Sequence, residues 1–592
     1  MCGFIASFGQ NINDYGLKIA FDQLKRRGPD AKGIWTDNEI FLGSRRLAIF
    51  DLHERSNQPM KSICERYMLI YNGSIYNYLE LRDYLLSSGI QLRTTSDTEV
   101  IIELFALEGP DMLKRLQGMF SFVIWDTQTK EAFAARDSFG IKPLYIGFNL
   151  SGIILASQVK TILSTNLISK DKDLNSELSF FQFGFVIEPR TWFKNIKSLN
   201  PGNYIIIKNN KIICEKRWSN LENFWISADK NHKKITKKNL KEIIYSEVTA
   251  SVNKHLVADV PIGIFLSSGI DSTLLASIAS LNSKKNITAI TVLFEDFKNS
   301  NYDETSKAKK IAQKLGLKHF IFNVTKDDFL RDFPKIIEAM DQPSIDGINT
   351  WYASKAAAEL KLKVVFSGLG GDEIFFGYDH FKKIPLTYNY FNNLNKIPLV
   401  HSFLNYIFKL YSLMKKDDRW TFISQSSNSI FSLWYLKRSI FTKKYINNEN
   451  LTSKTNNFSK LYNEIAKTGN LYDFTNAKIK ISYLDSIFYM RNQLLRDSDW
   501  ASMFHGIELR TPFVDVYLLS KLKDIMNNYS SLKNKEILKL SFDSILPKEF
   551  LQKKKTGFQT PIKIWIESYF QKNSKNYLFN YMLDIRNFFN KY

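Results

Sequence analysis

The stretch Ile264-Phe265-Leu266-Ser267-Ser268-Gly269-Ile270-Asp271-Ser272-Thr273-Leu274-Leu275-Ala276 decides how the rest of the chain is read. An apolar run from Val260 through Ile262 to Leu266 has the length of a buried strand, and it stops at Ser-Ser-Gly before a helix-compatible segment, Ser272 to Leu281. A strand, a loop of small residues and a helix N-terminus together make an anion site, because the first N–H groups of a helix reach a ligand only where no side chain blocks the approach. Ser267, Ser268 and Ser272 add hydroxyl donors, Gly269 keeps the backbone accessible, and Asp271 offers a carboxylate to a Mg2+ ion bridging phosphates. No lysine follows the glycine, so this is not a Walker A loop.

The loop resembles the S-G-G-x-D-S pyrophosphate loop of the ATP pyrophosphatases, which split ATP to AMP and pyrophosphate, with Ser268 in place of the first glycine. Downstream, strand-like and helix-like segments alternate: Ile287 to Phe294, Glu304 to Leu315, His319 to Val324. That alternation predicts a doubly wound parallel sheet with its ligand at the C-terminal strand ends. Val364-Val365-Phe366-Ser367-Gly368-Leu369-Gly370-Gly371-Asp372-Glu373 is a second strand, glycine loop and acidic pair, in which Asp372 can share Mg2+ with Asp271.

Upstream, the chain begins Met1-Cys2-Gly3-Phe4-Ile5. A small second residue favours removal of Met1, which would leave one residue carrying both a thiol and a free amine, the amine with an ordinary pKa of about 8 and able to act as base. Then follow Arg26-Arg27-Gly28-Pro29-Asp30, Arg45-Arg46, Gln58-Pro59-Met60, Tyr71-Asn72-Gly73-Ser74-Ile75-Tyr76-Asn77, Thr95-Ser96-Asp97 and Ala135-Arg136-Asp137. In this order the set resembles the class II glutamine amidotransferases, whose N-terminal nucleophile domain releases ammonia from glutamine. With the two ATP loops, the resemblance narrows to the glutamine-hydrolysing asparagine synthetase family and covers nearly the whole chain.

That resemblance implies an αββα sandwich over residues 1–220 and a parallel-sheet ATP-pyrophosphatase domain with a helical C-terminal part over 236–592, joined by a polar linker from Trp218 to Thr236. Cys2 would attack the glutamine amide, with Asn72 and the Gly73 N–H as oxyanion hole. Arg46 would hold the glutamine α-carboxylate and Asp97 its ammonium. Leu266, Val292, Ser367 and Gly368 would line the adenine side of the ATP crevice, and Lys555, in Lys553-Lys554-Lys555-Thr556-Gly557-Phe558, would stabilise the pyrophosphate and the acyl transition state. The stretches around Leu495 to Met503 and Gly506 to Asp515 would be helical packing motifs.

The departures from the family pattern are informative. Ser74 stands where the family has a glutamate, so one of two anionic contacts to the glutamine ammonium is missing, and restoring Glu at position 74 should lower the glutamine KM. Leu369 stands where the family has an acid credited with assisting acyl transfer, and leucine moves no proton. Asp341-Gln342-Pro343 replaces the usual acceptor-side D-E-P. Ile384 to Tyr483, aromatic and Lys/Asn-rich, reads as helical, with a polar break near Asn447 to Asn457.

Composition bounds the rest. At 592 residues and 44% hydrophobic the chain holds more than one full core. The net charge of +22 comes from scattered lysines, not from an Arg-rich or aromatic-interleaved patch, and is read as solvated surface, without a nucleic-acid partner. Three cysteines without metal-ligand spacing support neither disulfides nor zinc, and fit a reducing cytoplasm. No apolar run approaches the about 18 residues of a membrane span, and the N-terminus lacks a signal leader. The expected reaction takes ATP, glutamine and L-aspartate to asparagine, glutamate, AMP and pyrophosphate, through an acyl-adenylate and internally passed ammonia. Another carboxylate such as a sugar acid stays open as acceptor, as do a non-catalytic homologue and an RNA-associated ATP pyrophosphatase; a homodimer is compatible with the sequence.

Overall fold

The computed structural model describes residues 2–9, 15–149, 152–283, 287–300, 302–394, 403, 406–407, 409–410, 414, 429–441, 456–547, 561–569 and 577–591. Its first twelve strands are β1 (Cys2–Gly9), β2 (Ala31–Thr36), β3 (Ile40–Arg46), β4 (Met60–Lys61), β5 (Tyr67–Ile75), β6 (Gly118–Asp126), β7 (Glu131–Arg136), β8 (Tyr145–Phe148), β9 (Gly152–Ala156), β10 (Ile196–Ser198), β11 (Asn203–Lys208) and β12 (Lys211–Arg217). They form two antiparallel six-stranded sheets, ordered β10-β8-β9-β1-β3-β2 and β12-β11-β7-β6-β5-β4.

The alternation along β1 explains the sandwich. Phe4, Ala6 and Phe8 pack with Met68, Ile70, Val123 and Trp125 of the other sheet. Ile5, on the opposite face, joins Leu17, Phe21 and Leu24 of the covering helix Tyr15–Gln23 and its extension. Strands in the middle of such a stack are buried on both faces, which is why β6 is buried over nearly its whole length. The last hairpin turns at Asn209 and Asn210, both at positive φ (50° and 60°), the conformation that tight hairpin turns need and asparagine tolerates.

The third sheet is wholly parallel: β13 (Ile262–Phe265), β14 (Thr288–Phe294), β15 (Lys318–Val324), β16 (Val364–Phe366) and β17 (Glu508–Arg510), in the order β15-β14-β13-β16-β17. The chain starts at β13, builds outward on one side, then returns to the other, so the loops after β13 and β16 flank the switch point where ligands bind in such sheets. The helices Ile270–Asn282 and Thr305–Lys314 fall where the sequence places them, and the helix Lys237–His255 leads into β13.

Two expectations are corrected. The stretch Trp218 to Thr236 is not a plain linker: Glu222–Lys230 is a helix that buries Trp225 completely, with its indole N–H donating to Ser482 Oγ at 3.0 Å. Its three large apolar residues, Phe224, Trp225 and Ile226, were masked by surrounding Asn and Lys. Second, Glu508–Arg510 is the edge strand β17 and not part of a helix, because it pairs with β16. The described part of the segment 384–483 holds the helices His380–Leu394, Ile430–Arg438, Asn456–Gly469 and Ala477–Leu484; most of the polar break lies outside the described residues.

The sandwich and the parallel sheet are locked by buried polar contacts. Arg27 grips Asp499 through two bonds of 2.7 and 3.1 Å, and Lys142 approaches the same carboxylate at 3.4 Å. Asp341 accepts the N–H groups of Val159 and Lys160 at 2.9 and 3.1 Å, capping the short helix Val159–Ser164, and Gln342 accepts the Trp192 N–H at 2.8 Å. Gln342, the departure from the acceptor-side motif, and its neighbour Asp341 therefore serve the interface.

Candidate active sites

Cys2 opens β1 opposite Arg46 of β3 and is 4% exposed. Asn72, on β5, accepts the Cys2 N–H at 3.1 Å through Oδ1, while its Nδ2 is buried and has no hydrogen-bond partner. A buried donor left unsatisfied is costly at rest and is satisfied when a negative oxygen forms beside it, which is what an oxyanion hole requires. A Cβ at Gly73 would lie 2.2 Å from the Met119 carbonyl oxygen, so only glycine fits next to Asn72. Burial raises the Cys2 thiol pKa, against the lowering pull of the chain's N-terminal ammonium and of Arg46, so a base has to take its proton.

Asp97 accepts the Tyr71 hydroxyl at 2.9 Å and the Ile75 N–H at 3.1 Å, and burial pushes its carboxyl up to about 6. Arg46 sits beside the nucleophile with its fork committed to the 50–57 loop: Nη1 donates to His53 O and Asn57 Oδ1, both at 3.0 Å, and Nη2 to Phe50 O and Asp51 O at 2.9 and 2.5 Å. A substrate carboxylate at Arg46, which the family resemblance implies, would have to meet Nε or exchange with that loop. Sequence reasoning gave Gln58 no role, yet its Nε2 points at Cys2 Sγ at 3.8 Å while its Oε1 accepts the Tyr71 N–H at 2.7 Å. The signal available was its place beside Pro59, one residue from a strand that pairs with β5.

Ser74 is 1% exposed and not an empty place: its hydroxyl donates to Glu508 of β17 at 2.8 and 2.9 Å. A glutamate at 74 would drive a second carboxylate into Glu508, which overturns the expectation that this change alone improves glutamine binding.

The second site is a cavity of about 330 Å³ at the parallel-sheet switch point. Leu266, Ser267, Gly269, Asp271, Ser272, Val292, Ser367, Gly368 and Asp372 all line it. The Ser267 and Ser272 hydroxyls meet at 2.9 Å, and Ser267 Oγ accepts the Gly269 N–H at 3.1 Å, which holds the loop in shape. Ser268 is not among the residues that line the cavity, and its hydroxyl is engaged by one that is, donating to Glu304 at 2.8 Å. The glycines are steric necessities: a Cβ at Gly368 would sit 2.7 Å from Asp271 Cβ, and one at Gly371 2.6 Å from Asp271 Oδ1. Lys535 was missed by sequence reasoning, having no motif around it. Buried at 6% exposure, its ammonium bridges Asp271 and Asp372, the latter at 2.5 Å, and these carboxylates outweigh burial to raise its pKa. Lys555 lies outside the described residues.

The far wall of the same cavity carries Leu369, Asp346, Asn349, Thr350, Asp497 and Ser498. Asp497 accepts the Trp500 indole N–H at 2.9 Å and the Ser344 hydroxyl, and burial, reinforced by Asp346, pushes its carboxyl up to about 7. Burial raises Asp346 too. Among the described lining residues this wall has two carboxylates and no cation.

A sandwich with a buried Cys2 and its unsatisfied amide donor, joined to a parallel sheet with an acid-flanked nucleotide loop, defines a glutamine-dependent, ATP-pyrophosphatase type of amidating enzyme. Residues 1–219 match the glutamine amidotransferase domain family and residues 244–592 match the asparagine synthase family, and the chain belongs to the asparagine synthase family. It is 29% identical over 583 residues to asparagine synthetase [glutamine-hydrolyzing] 1 of Bacillus subtilis, covering 96% of this chain and 88% of that protein. It is 26% identical over 563 residues to asparagine synthetase [glutamine-hydrolyzing] 3 of the same organism, covering 91% and 83%. It is also 26% identical over 593 residues to the amidase chyE of Penicillium rubens, covering 93% and 85%. No helix among the described residues is long and apolar enough to cross a membrane.

Proposed function

We propose that the chain hydrolyses glutamine at Cys2 within residues 1–220 and uses the released ammonia, within residues 236–592, to amidate a carboxylate that ATP has adenylated. The observation that carries this reading is the orphaned Asn72 Nδ2 beside Cys2, since a retired scaffold would have no reason to keep a buried donor unpaired at the nucleophile. Cys2 attacks the side-chain amide carbon, its proton passing to the N-terminal amine freed by loss of Met1; Asn72 Nδ2 and the Gly73 N–H take the oxyanion, and Asp97 receives the substrate ammonium.

In the second site ATP occupies the cavity with its phosphates toward Ser267, Gly269 and Ser272. Asp271 and Asp372 are hard oxygen donors converging on one cation, Lys535, and no group of three or more His, Cys, Asp or Glu that would cage a metal exists among the described residues. That suits Mg2+, which is ordinarily held by one or two carboxylates together with the phosphates it neutralises. Lys535 then stands as a fixed positive charge at the same phosphates, and Lys555, by the family resemblance, would supply another.

For the acceptor, the wall facing the ATP loops favours a carboxylate whose remainder offers hydrogen-bond donors. L-Aspartate meets that with its ammonium, but its second carboxylate would find no cation among the described residues of this wall. A hydroxylated acceptor such as a sugar acid meets it with no such conflict, and Leu369 removes the acid that the aspartate reaction uses in the family. Asp497, neutral up to about pH 7, is the group on this wall suited to exchange a proton with the acceptor. The test is pyrophosphate release from MgATP and glutamine with aspartate beside a panel of sugar acids, with Cys2→Ala plus ammonium as control. Release with aspartate and formation of asparagine assign asparagine synthesis; release only with a hydroxylated acid assigns the other amidation; no release with any acceptor sinks the reading.

A further inference from the structure

Ser74 and Glu508 come from opposite sides of the interface, and their contact sits at the glutamine pocket. Ser74 lies two residues after Asn72 on β5, so it shares the face that Asn72 turns toward Cys2. Its hydroxyl bridges both oxygens of Glu508, and Arg510 Nε donates to Oε1 at 2.6 Å. Glu508 is fully buried, where a carboxylate persists only if paired. It stays ionised all the same: against burial, Arg510, the chain's N-terminal ammonium and Lys142 hold it at about 2. Its charge also reaches Asp97, whose carboxyl it pushes upward.

We propose that Glu508 is the second anionic contact for the α-ammonium of glutamine, delivered by β17 across the interface into the place left by the small Ser74. The proposal rests on the glutaminase reading of residues 1–220. It ties that pocket to the ATP site, because Glu508 begins a strand of three residues whose far end, the Arg510 carbonyl, accepts the Ser367 N–H of the ATP loop at 2.9 Å. The anchor for glutamine and the wall of the nucleotide crevice are thus one short piece of backbone.

The experiment uses the full chain and two amides, glutamine and 4-carbamoylbutanoate, which keeps the side-chain amide and the carboxylate but lacks the ammonium. Ammonia release is followed for wild type, Glu508→Gln and the double variant Ser74→Glu/Glu508→Gln. Loss of one charge-assisted contact predicts a glutamine KM raised by about tenfold or more in E508Q, kcat nearly unchanged, and KM for 4-carbamoylbutanoate unmoved. The double variant, which moves the carboxylate to the sandwich side, restores the preference for glutamine. Equal losses on both amides, an unchanged preference in E508Q, or no recovery in the double variant overturns the proposal. Should E508Q fail to fold, Ser74→Ala releases the clamp while keeping the charge; the preference then falls part of the way, and an unmoved preference counts against the idea. A wild type with no ammonia release sensitive to Cys2→Ala would instead remove the glutaminase reading beneath it.

Discussion

Replacing Asp499 by Asn tests the claim that one buried carboxylate holds the two halves of the molecule together. Asp499 is 6% exposed and neutralises Arg27 and Lys142, each 2% exposed. Asn would keep the shape while leaving two buried cations without their anion, and breaking such a cluster from one side costs about 3–5 kcal/mol. Arg27→Met should cost less, about 3 kcal/mol, because Asp499 then retains Lys142 at 3.4 Å. The readout is hydrogen exchange in the helix Arg496–Met503, whose opening exposes the cluster. At about 1.4 kcal/mol per decade, D499N should speed exchange there by roughly two to four powers of ten, and R27M by about two. The double variant R27M/D499M should be less open than the summed singles by more than about 0.5 kcal/mol, the usual limit for independent sites. Additive singles, or an R27M more damaging than D499N, would refute the argument that this carboxylate carries both cations.

Lys535→Met leaves Asp271 and Asp372 facing each other, and pyrophosphate release should fall by about a hundredfold, the scale of losing one preorganised charge contact, with a steeper dependence on Mg2+ in titrations. Gly371→Ala places a methyl 2.6 Å from Asp271 Oδ1, so it should abolish ATP-dependent pyrophosphate release while leaving Cys2-dependent ammonia release intact. Asp97 must be ionised to hold an ammonium and its carboxyl sits at about 6, so kcat/KM for glutamine should be flat above that pH and fall as pH drops through it; a profile flat down to pH 5 would discount Asp97. Asp497 keeps its proton up to about 7 when folded and gives it up near 4 when unfolded, so its contribution to stability declines as pH rises between those values. Asp497→Asn should therefore melt increasingly above wild type from pH 5 to 8, while amidation falls if this group serves the acceptor.

Much of this was legible because the chemistry is carried by residues whose local sequence is itself diagnostic. The loops after β13 and β16 announce themselves by small residues between an apolar strand and a helix, and the short apolar strand that starts at Cys2 is followed by an ordered set of family-like motifs. What was hidden is contact across the interface. Lys535 is a lone lysine 264 positions from the Asp271 it neutralises, and Glu508 is 434 positions from Ser74; neither pairing leaves a periodic trace. Trp225 was obscured in the same way, since one buried indole in an Asn/Lys-rich segment looks like linker until Ser482 is placed beside it. Ser268 shows the reverse: residue type suggested a phosphate donor, and its hydroxyl is engaged by Glu304.

The capping role of Asp341 and Gln342 bears on any attempt to change what this enzyme amidates. The segment from 341 to 350 looks like a single cassette for acceptor choice, and exchanging it wholesale with a relative would be the natural design. Yet its first two side chains are fastened to the backbone at Val159, Lys160 and Trp192, and only from Asp346 onward does it face the cavity. The segment is a hinge pin joined to a selector. A graft that spares positions 341 and 342 changes the cavity wall alone, whereas one that replaces them also loosens the joint between the sandwich and the parallel sheet.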